Sequence, residues 1–595
     1  MYRRIGLLLA LCFLMVSVSQ KSWCATIIVN TSSANNSGED AGSGDATHCA
    51  FAEAFKSIQN ASFESGCVNS VAAEPFGNND EVLFSVTEAT LDEYLENTTD
   101  PKTVLISKEA VDSSVLYYPV FSSPVTLHFT GNAGIHWNRP VGPDQPVLGL
   151  VNIRITGTTT HDDFIYVQGA SLIVAGSQFT GLTRRVLHVQ NGERVQVVGS
   201  HFQGNTWRSL TLDGVGESSI GTNSFVNNNT IDGDGSAIST SGAAGTHTFI
   251  IHNTFSGNRS TANGGAIYSA GSDHIVLISN NTIYNNTSSI EGGGIYLNSQ
   301  YYMTGNIIAH NRAAVTGGLD SDDCYLSGSP SSPDYISYNI FSVATSTTGC
   351  RASMGLSNNQ VQYTYALPAL VAASPFYTYL HPLEVGSTAI NQIPEGPLCG
   401  SSTIAAIDQR FIPAPSGDGC DIGAYEMYTP SVFTFSSPTA TVREGETVIL
   451  TVHRAASTDG QAQLNYQATG ALMGGVETLH WNNKESADKT ITIPVPSDTI
   501  AQGDRTFTVS LTADFPRLSG LVGSPASVTV TIQDVPVAAG SGGASGTGGD
   551  SGSGGSSGLG GDSGAGGSSG TGGDTGTPEG VPASLTAGGG CDLIP

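Results

Sequence analysis

The feature that most constrains this chain is a unit repeated through its middle: Ser or Asn, any residue, then an apolar anchor. It reads SQFTGL from Ser177, SHFQGN from Ser200, NSFVNN from Asn223, NTFSGN from Asn253, NTIYNN from Asn281, NIIAHN from Asn306 and NIFSVA from Asn339. The anchors Phe179, Phe202, Phe225, Phe255, Ile283, Ile308 and Phe341 lie 23, 23, 30, 28, 25 and 33 residues apart. A second echo follows several anchors: GSAI from Gly235, GGAIY from Gly264, GGGIY from Gly292 and TGGLD from Thr316. Strands as short as HTFIIHN (His247–Asn253) cannot bury an apolar face alone. Wound into a coil, each stacks on its copy about 4.8 Å above. The anchors then pile into one core. Asn at matched turns accepts left-handed backbone and can form side-chain ladders. The expected fold is all-β: a right-handed parallel β-helix. The spacing is too variable for leucine-rich or hexapeptide repeats, and the motif is not that of a propeller blade. A β-sandwich would leave the repeated unit unexplained.

The ends of the chain bound where such a coil works. Arg3 and Arg4 precede the apolar run Ile5–Val18, the pattern of a secretory signal over residues 1–25. Trp23 before Cys24 argues against lipidation there. No later run approaches the ~20 apolar residues of a membrane helix. The 22 basic and 50 acidic residues give a net charge of −28, which repels phosphate backbones. A nucleic-acid partner is therefore not expected, and a polyanionic glycan would be repelled as well. Six cysteines fall into near neighbours, read as disulfides Cys49–Cys67, Cys324–Cys350 and Cys399–Cys420. Zinc is the alternative, without a CxxC pair to favour it. Cys591 is the odd one out. A monomer, secreted or associated with the bacterial cell surface or outer membrane, is expected.

Three stretches resemble known families. ATIIVN, CAFAEAF and DEVLFSV, between Ala25 and Val86, resemble the CSLREA-type segment opening many exported bacterial β-helix proteins. Cys49, Glu53 and Ala54 match its C-x-x-x-E-A, whereas Ala50, Phe51 and Ala52 depart from it. The resemblance implies a structural cap over 26–120. Asp408, Gln409 and Arg410, with CDIGAYE from Cys420 to Glu426, resemble the ending of choice-of-anchor Q proteins. It implies a secreted or surface β-helix over 121–430 and no reaction. VREGE (Val442–Glu446), GDRTFTVSL (Gly503–Leu511) and SPASVTVTIQD (Ser524–Asp534) resemble a Calx-beta domain, an immunoglobulin-like β-sandwich over 431–536. That resemblance implies calcium at Glu444 and Asp534. Against it, Ile500, Gln502 and Arg505 stand where the family carries Glu. A disordered Gly- and Ser-rich tail is expected over 537–595.

Two places could carry chemistry. Asp408, Arg410, Asp421 and Glu426, with Asp418 near them, read as a salt-bridged lock closing the last coil rather than as an acid–base site. Asp320, Asp322 and Asp323 with His310 and Arg312 are the catalytic candidates further back. Sugar hydrolysis or lysis in a lateral groove would need carboxylates projecting from neighbouring coils. The polygalacturonase and pectate lyase motifs are absent. The expected function is binding, adhesion or structure toward carbohydrate or a surface protein, with a polysaccharide lyase or hydrolase as the alternative.

Overall fold

A computed structural model describes residues 25–29, 49–60, 67, 79–97, 103–108, 123–138, 146–314, 323–330, 336–342, 350, 358–373, 377–399, 407–513 and 520–534, with 232, 363, 397, 473 and 499 excepted. The signal, Asp320, Asp322, Cys591 and the Gly-rich tail lie outside the described residues.

The chain is all-β. An 18-stranded parallel sheet carries two faces of a coil, and an 11-stranded parallel sheet carries a third. Within one turn the chain visits the faces in order. Arg185–Gln190 lies on the first, Arg194–Val198 on the second and His201–Gln203 on the third. Each strand pairs in register with its copy one turn on, as Leu187 with Leu210, Val197 with Ile220 and Phe202 with Phe225. The long strands Ile267–Ser279 and Ile295–Thr304 run through the first two faces. The seven anchors sit opposite one another on the third face, all fully buried. The rings of Phe179, Phe202, Phe225 and Phe255 stack at 4.7, 4.7 and 5.0 Å, each within 10° of parallel.

The coil is longer than the visible repeat. Ala25–Val29 pairs with Asn79–Phe84, which pairs with Thr103–Ser107, which pairs with Val147–Val151. The boundary drawn at 120 therefore falls inside the sheet, not at its start. Ile27, Val29, Val82, Phe84, Val104 and Ile106 belong to the same core as the later anchors. Helix α1 (Phe51–Asn60) packs on these first turns. Its Phe51 ring lies 5.4 Å from Phe84 and its Phe55 ring 5.7 Å from Trp137. The Cys49–Cys67 bond ties down its start.

Two turn columns explain why the repeat needs Asn and Gly. Before the third face, Asn152, Gly176, Gly199, Thr222, His252, Asn280, Gly305 and Tyr338 all have φ between 52° and 67°. After it, Gly181, Gly204, Asn227, Gly257, Asn285 and His310 repeat that conformation. Each column is followed by a file of buried side chains. In one file, Asn253 donates its backbone N–H (2.9 Å) and Nδ2 (3.0 Å) to Asn281 Oδ1, and Nδ2 also to Ile220 O (2.8 Å). The pattern runs from Asn223 through Asn253, Asn281, Asn306 and Asn339 to Asn359. The second file runs Asn205, Asn228, Asn258, Asn286 and Asn311. The corner amides a tight turn would orphan are thus satisfied inside the coil.

The described residues between 364 and 427 do not plug the end of the coil. They form a strap along the outside of the third face. Tyr379 N–H donates to Ser224 Oγ (3.0 Å), Thr254 Oγ1 to Gln409 Oε1 (2.6 Å), and Ala424 N–H to Thr282 Oγ1 (3.0 Å). The cause is in the strands beneath. Ile307 and Ala309 flank the inward anchor Ile308, so both face outward and need cover. They form a second core with Ile340, Leu383, Ile393 and Ile422. Beyond it stands a sandwich of four- and five-stranded sheets around Phe433, Val452, Trp481, Phe507 and Val530. Asn483 Nδ2 donates to Gly417 O (3.1 Å), joining the sandwich to the strap.

Candidate ligand-binding face

Of the residues singled out as catalytic, Asp323, His310 and Arg312 are described, and each has a different setting. Asp323 is 1% exposed and ends the second asparagine file. Its Oδ1 accepts Asn311 N–H and Nδ2 at 3.1 and 3.0 Å, and its Oδ2 accepts Ser342 N–H at 2.7 Å. It is a structural cap, correcting its reading as a groove carboxylate. His310 holds a turn at φ 56°, and its Nε2 donates to Tyr365 O at 2.6 Å beneath the strap. Arg312 lies on a fourth short ladder, opposite Thr287.

The lock also differs from its expected wiring. Asp408 is the carboxylate that holds Arg410, with Arg410 Nε donating to its Oδ2 at 2.8 Å. Arg410 Nη2 also donates to the Glu426 carbonyl, and its guanidinium lies 3.8 Å from the Tyr425 ring. Asp421 instead accepts the N–H groups of Asn391 (2.8 Å) and Met427 (2.6 Å). Glu426 accepts those of Ser416 (2.7 Å) and Asp421 (2.9 Å). Asp418 turns away to Lys484 (3.3 Å). Burial raises the Asp421 pKa to about 6; burial, then the Asp421 charge, raises that of Glu426 well above the usual range.

The calcium expectation meets a poor donor set. Glu444 is taken by Arg505 Nη2, and Asp498 Oδ2 lies 3.7 Å from the same nitrogen. Asp534 Oδ2 accepts two backbone N–H groups, from Gln502 (2.8 Å) and Gly503 (2.7 Å). A calcium ion takes six to eight oxygens. Among the described residues, no group of three His, Cys, Asp or Glu suits a metal.

A cluster absent from those expectations lies on the first face. By register, its outward side chains form one file: His136, Tyr166, His188, Thr211, Ser239, Tyr268, Tyr296 and Tyr325. A second file beside it holds Asn138, Gln168, Gln190, Asp213, Ser241, Ala270 and Asn298. His188 stands between two carboxylates, Nδ1 3.3 Å from Asp163 and Nε2 3.2 Å from Asp213. Arg185 Nε lies 2.7 Å from Asp163, and Ser241 Oγ donates to Asp213 at 2.9 Å. Tyr166 lies 4.8 Å from His188, and its hydroxyl donates to Gln190 Oε1. Burial works against a proton on His188, but the two aspartates outweigh it and raise its pKa. Burial likewise works against the charge on Asp213, yet His188 and Ser241 hold its pKa down. Between the large side chains of His188 and Tyr268, the file narrows to Thr211 and Ser239. Thr211 Oγ1 is buried there without a hydrogen-bond partner. Farther along, Tyr268, Tyr296 and Tyr325 stack at 5.4 and 5.0 Å.

The other faces differ. The second turns Phe249, Leu277 and Tyr302 into an apolar cluster with Ile251, and the third lies under the strap. The sequence offered one usable signal for the first face, the repeated Tyr of GGAIY and GGGIY. His188 carried none, because its partners come from the turns before and after it.

No family model matches the chain, and no curated protein matches it. Among solved structures, the crystal structure of the apo-form Calx CBD1 domain is similar at 17% identity and a TM-score of 0.16. That match covers 18% of this chain and 99% of that chain.

Proposed function

We propose that this is an exported, surface-associated β-helix protein that binds a neutral glycan along its first face. The observation that carries the reading is the paired outward files there. Amide, hydroxyl, phenol and imidazole groups recur turn after turn, centred on His188 between Asp163 and Asp213. Such planar polar and aromatic groups suit the hydroxyls and C–H faces of sugars. Arg185 beside Asp163 and His188 between Asp163 and Asp213 offset the acids at the centre, and the net charge of −28 disfavours a polyanion. Thr211 and Ser239 form a notch between larger side chains, and the Thr211 hydroxyl buried at its base has no hydrogen-bond partner. Export is supported by the signal-like start and the disulfides, and by the CSLREA-like and choice-of-anchor Q-like stretches. The Calx-beta-like sandwich and the Gly-rich tail fit a spacer and tether, and the chain acts as a monomer.

Affinity electrophoresis against neutral and acidic polysaccharides tests the proposal. Retardation by a neutral polymer is expected for the full chain, and its loss in Ser239→Trp, which fills the notch from an outward position. Unchanged retardation in a folded Ser239→Trp protein, or retardation by acidic polymers alone, overturns it. The two carboxylates flanking His188 also favour a second reading, glycoside hydrolysis at the same place. Release of reducing ends that stops in Asp213→Asn would select it.

A further inference from the structure

Glu444, Asp534 and Arg505 meet at one end of the five-stranded sheet of the sandwich. Glu444 follows the strand Thr439–Arg443, Asp534 follows Ser527–Gln533, and Arg505 opens Arg505–Ala513. These three strands are neighbours, with Arg443 opposite Gln533 and Arg505 opposite Ile532. The Glu444 side chain is only 2% exposed. Its Oε2 is buried without a hydrogen-bond partner, and so is Asp534 Oδ1. A carboxylate so buried is costly unless a positive charge compensates it. Arg505 Nη2 supplies that charge, pairing with Glu444 and lying 3.7 Å from Asp498. A guanidinium fixed between two acids stands where a divalent ion would sit and neutralises one of their two charges.

We propose that Arg505 is a built-in cation. It supplies the positive charge that the buried Glu444 requires, so the sandwich holds without calcium, and its removal leaves that charge to be supplied by a divalent cation. Two buried oxygens lacking donors, Glu444 Oε2 and Asp534 Oδ1, are then free to turn to an ion. Glu444 Oε1 loses its partner at the same moment, and Asp498, which keeps the donors of Ile500 and Gln502, loses its nearby cation. The inference does not depend on the glycan reading, since it concerns another domain.

The test compares the full chain with Arg505→Ser and Arg505→Lys, by calorimetric melting in EDTA or millimolar calcium chloride and by calcium titration. The native chain is expected to melt identically in both media and to take up no ion at the sandwich. Arg505→Ser should melt earlier in EDTA, recover in calcium, and titrate with one ion whose uptake stops in Glu444→Gln/Arg505→Ser. Arg505→Lys, which keeps the charge, should ignore calcium. A native chain destabilised by EDTA overturns the proposal. So does an Arg505→Ser protein that is folded yet binds nothing, or one that stays unfolded in both media.

Discussion

The coil and the strap on its flank both bury polar groups, and they do so in opposite ways. In the coil, neutral asparagines repeat, each donating to the asparagine one turn on and to a backbone carbonyl of the turn before. In the strap, Asp408, Asp421, Glu426 and Arg410 are gathered once, with backbone N–H groups as most of the partners. A neutral file spreads its cost over many turns and is indifferent to pH. A knot of charge concentrates the cost, and its strength depends on every member and on protonation.

The largest effect should come from removing the one cation of the knot. Arg410→Met leaves Asp408, whose side chain is 3% exposed, as an uncompensated buried charge. A loss of about 3–5 kcal/mol in denaturant unfolding is expected, and Asp408→Asn in the same chain should restore part of it. Next comes a break within a file. Asn281→Ala removes the acceptor of two Asn253 donors, and about 3 kcal/mol should be lost. The same change at Asn359, at the partly exposed end of that file, should cost about 1 kcal/mol because water can replace the lost amide. Equal losses at both positions would show that burial along the file is not what matters. Smaller again is Asp323→Asn. One oxygen becomes an amide facing the Ser342 N–H, donor against donor, at about 1–2 kcal/mol.

The last test is a slope rather than a step. The folded pKa values of Asp421 and Glu426 are raised, so their burial is tolerated below about pH 4, where the unfolded carboxyls are also protonated. Stability at the strap should fall as pH rises through about 6, the Asp421 value, and further as Glu426 ionises. Amide exchange over 408–427 measured from pH 4 to 8 should show the slope. Asp421→Asn should flatten it, whereas Asn281→Ala should leave its shape unchanged. A flat profile in the native chain would remove the charge half of the contrast.

The repeat made the coil readable because the same residue must solve the same corner on each turn. Phe202, Phe225 and Phe255 face inward for one reason, and Asn228, Asn258 and Asn286 recur for another. The turns before residue 120 lack the Ser/Asn-x-anchor unit, so their place in the sheet was hidden although their aliphatic strands are ordinary. The strap was hidden differently. Thr254 and Gln409 are 155 residues apart, and a single contact at that distance leaves no period. The DQR and CDIGAYE stretch reads as closing the last coil, whereas its contacts with Thr254 and Thr282 lie along the flank. His188, Asp163 and Asp213 were missed because outward side chains obey no rule of burial.

Asp323 gives the second asparagine file a direction. An amide both gives and receives, but a carboxylate only receives, so the file has a single terminus that cannot be extended past itself. Every interior asparagine hands its backbone N–H and one amide proton to the turn that follows, and its other amide proton to a backbone carbonyl that any turn supplies. A whole turn could therefore be duplicated or deleted upstream of Asp323 without unsettling either neighbour, since each asks only for an asparagine next in line. The length of this protein is a quantity that evolution or an engineer could change in units of one coil, provided the stop is left in place.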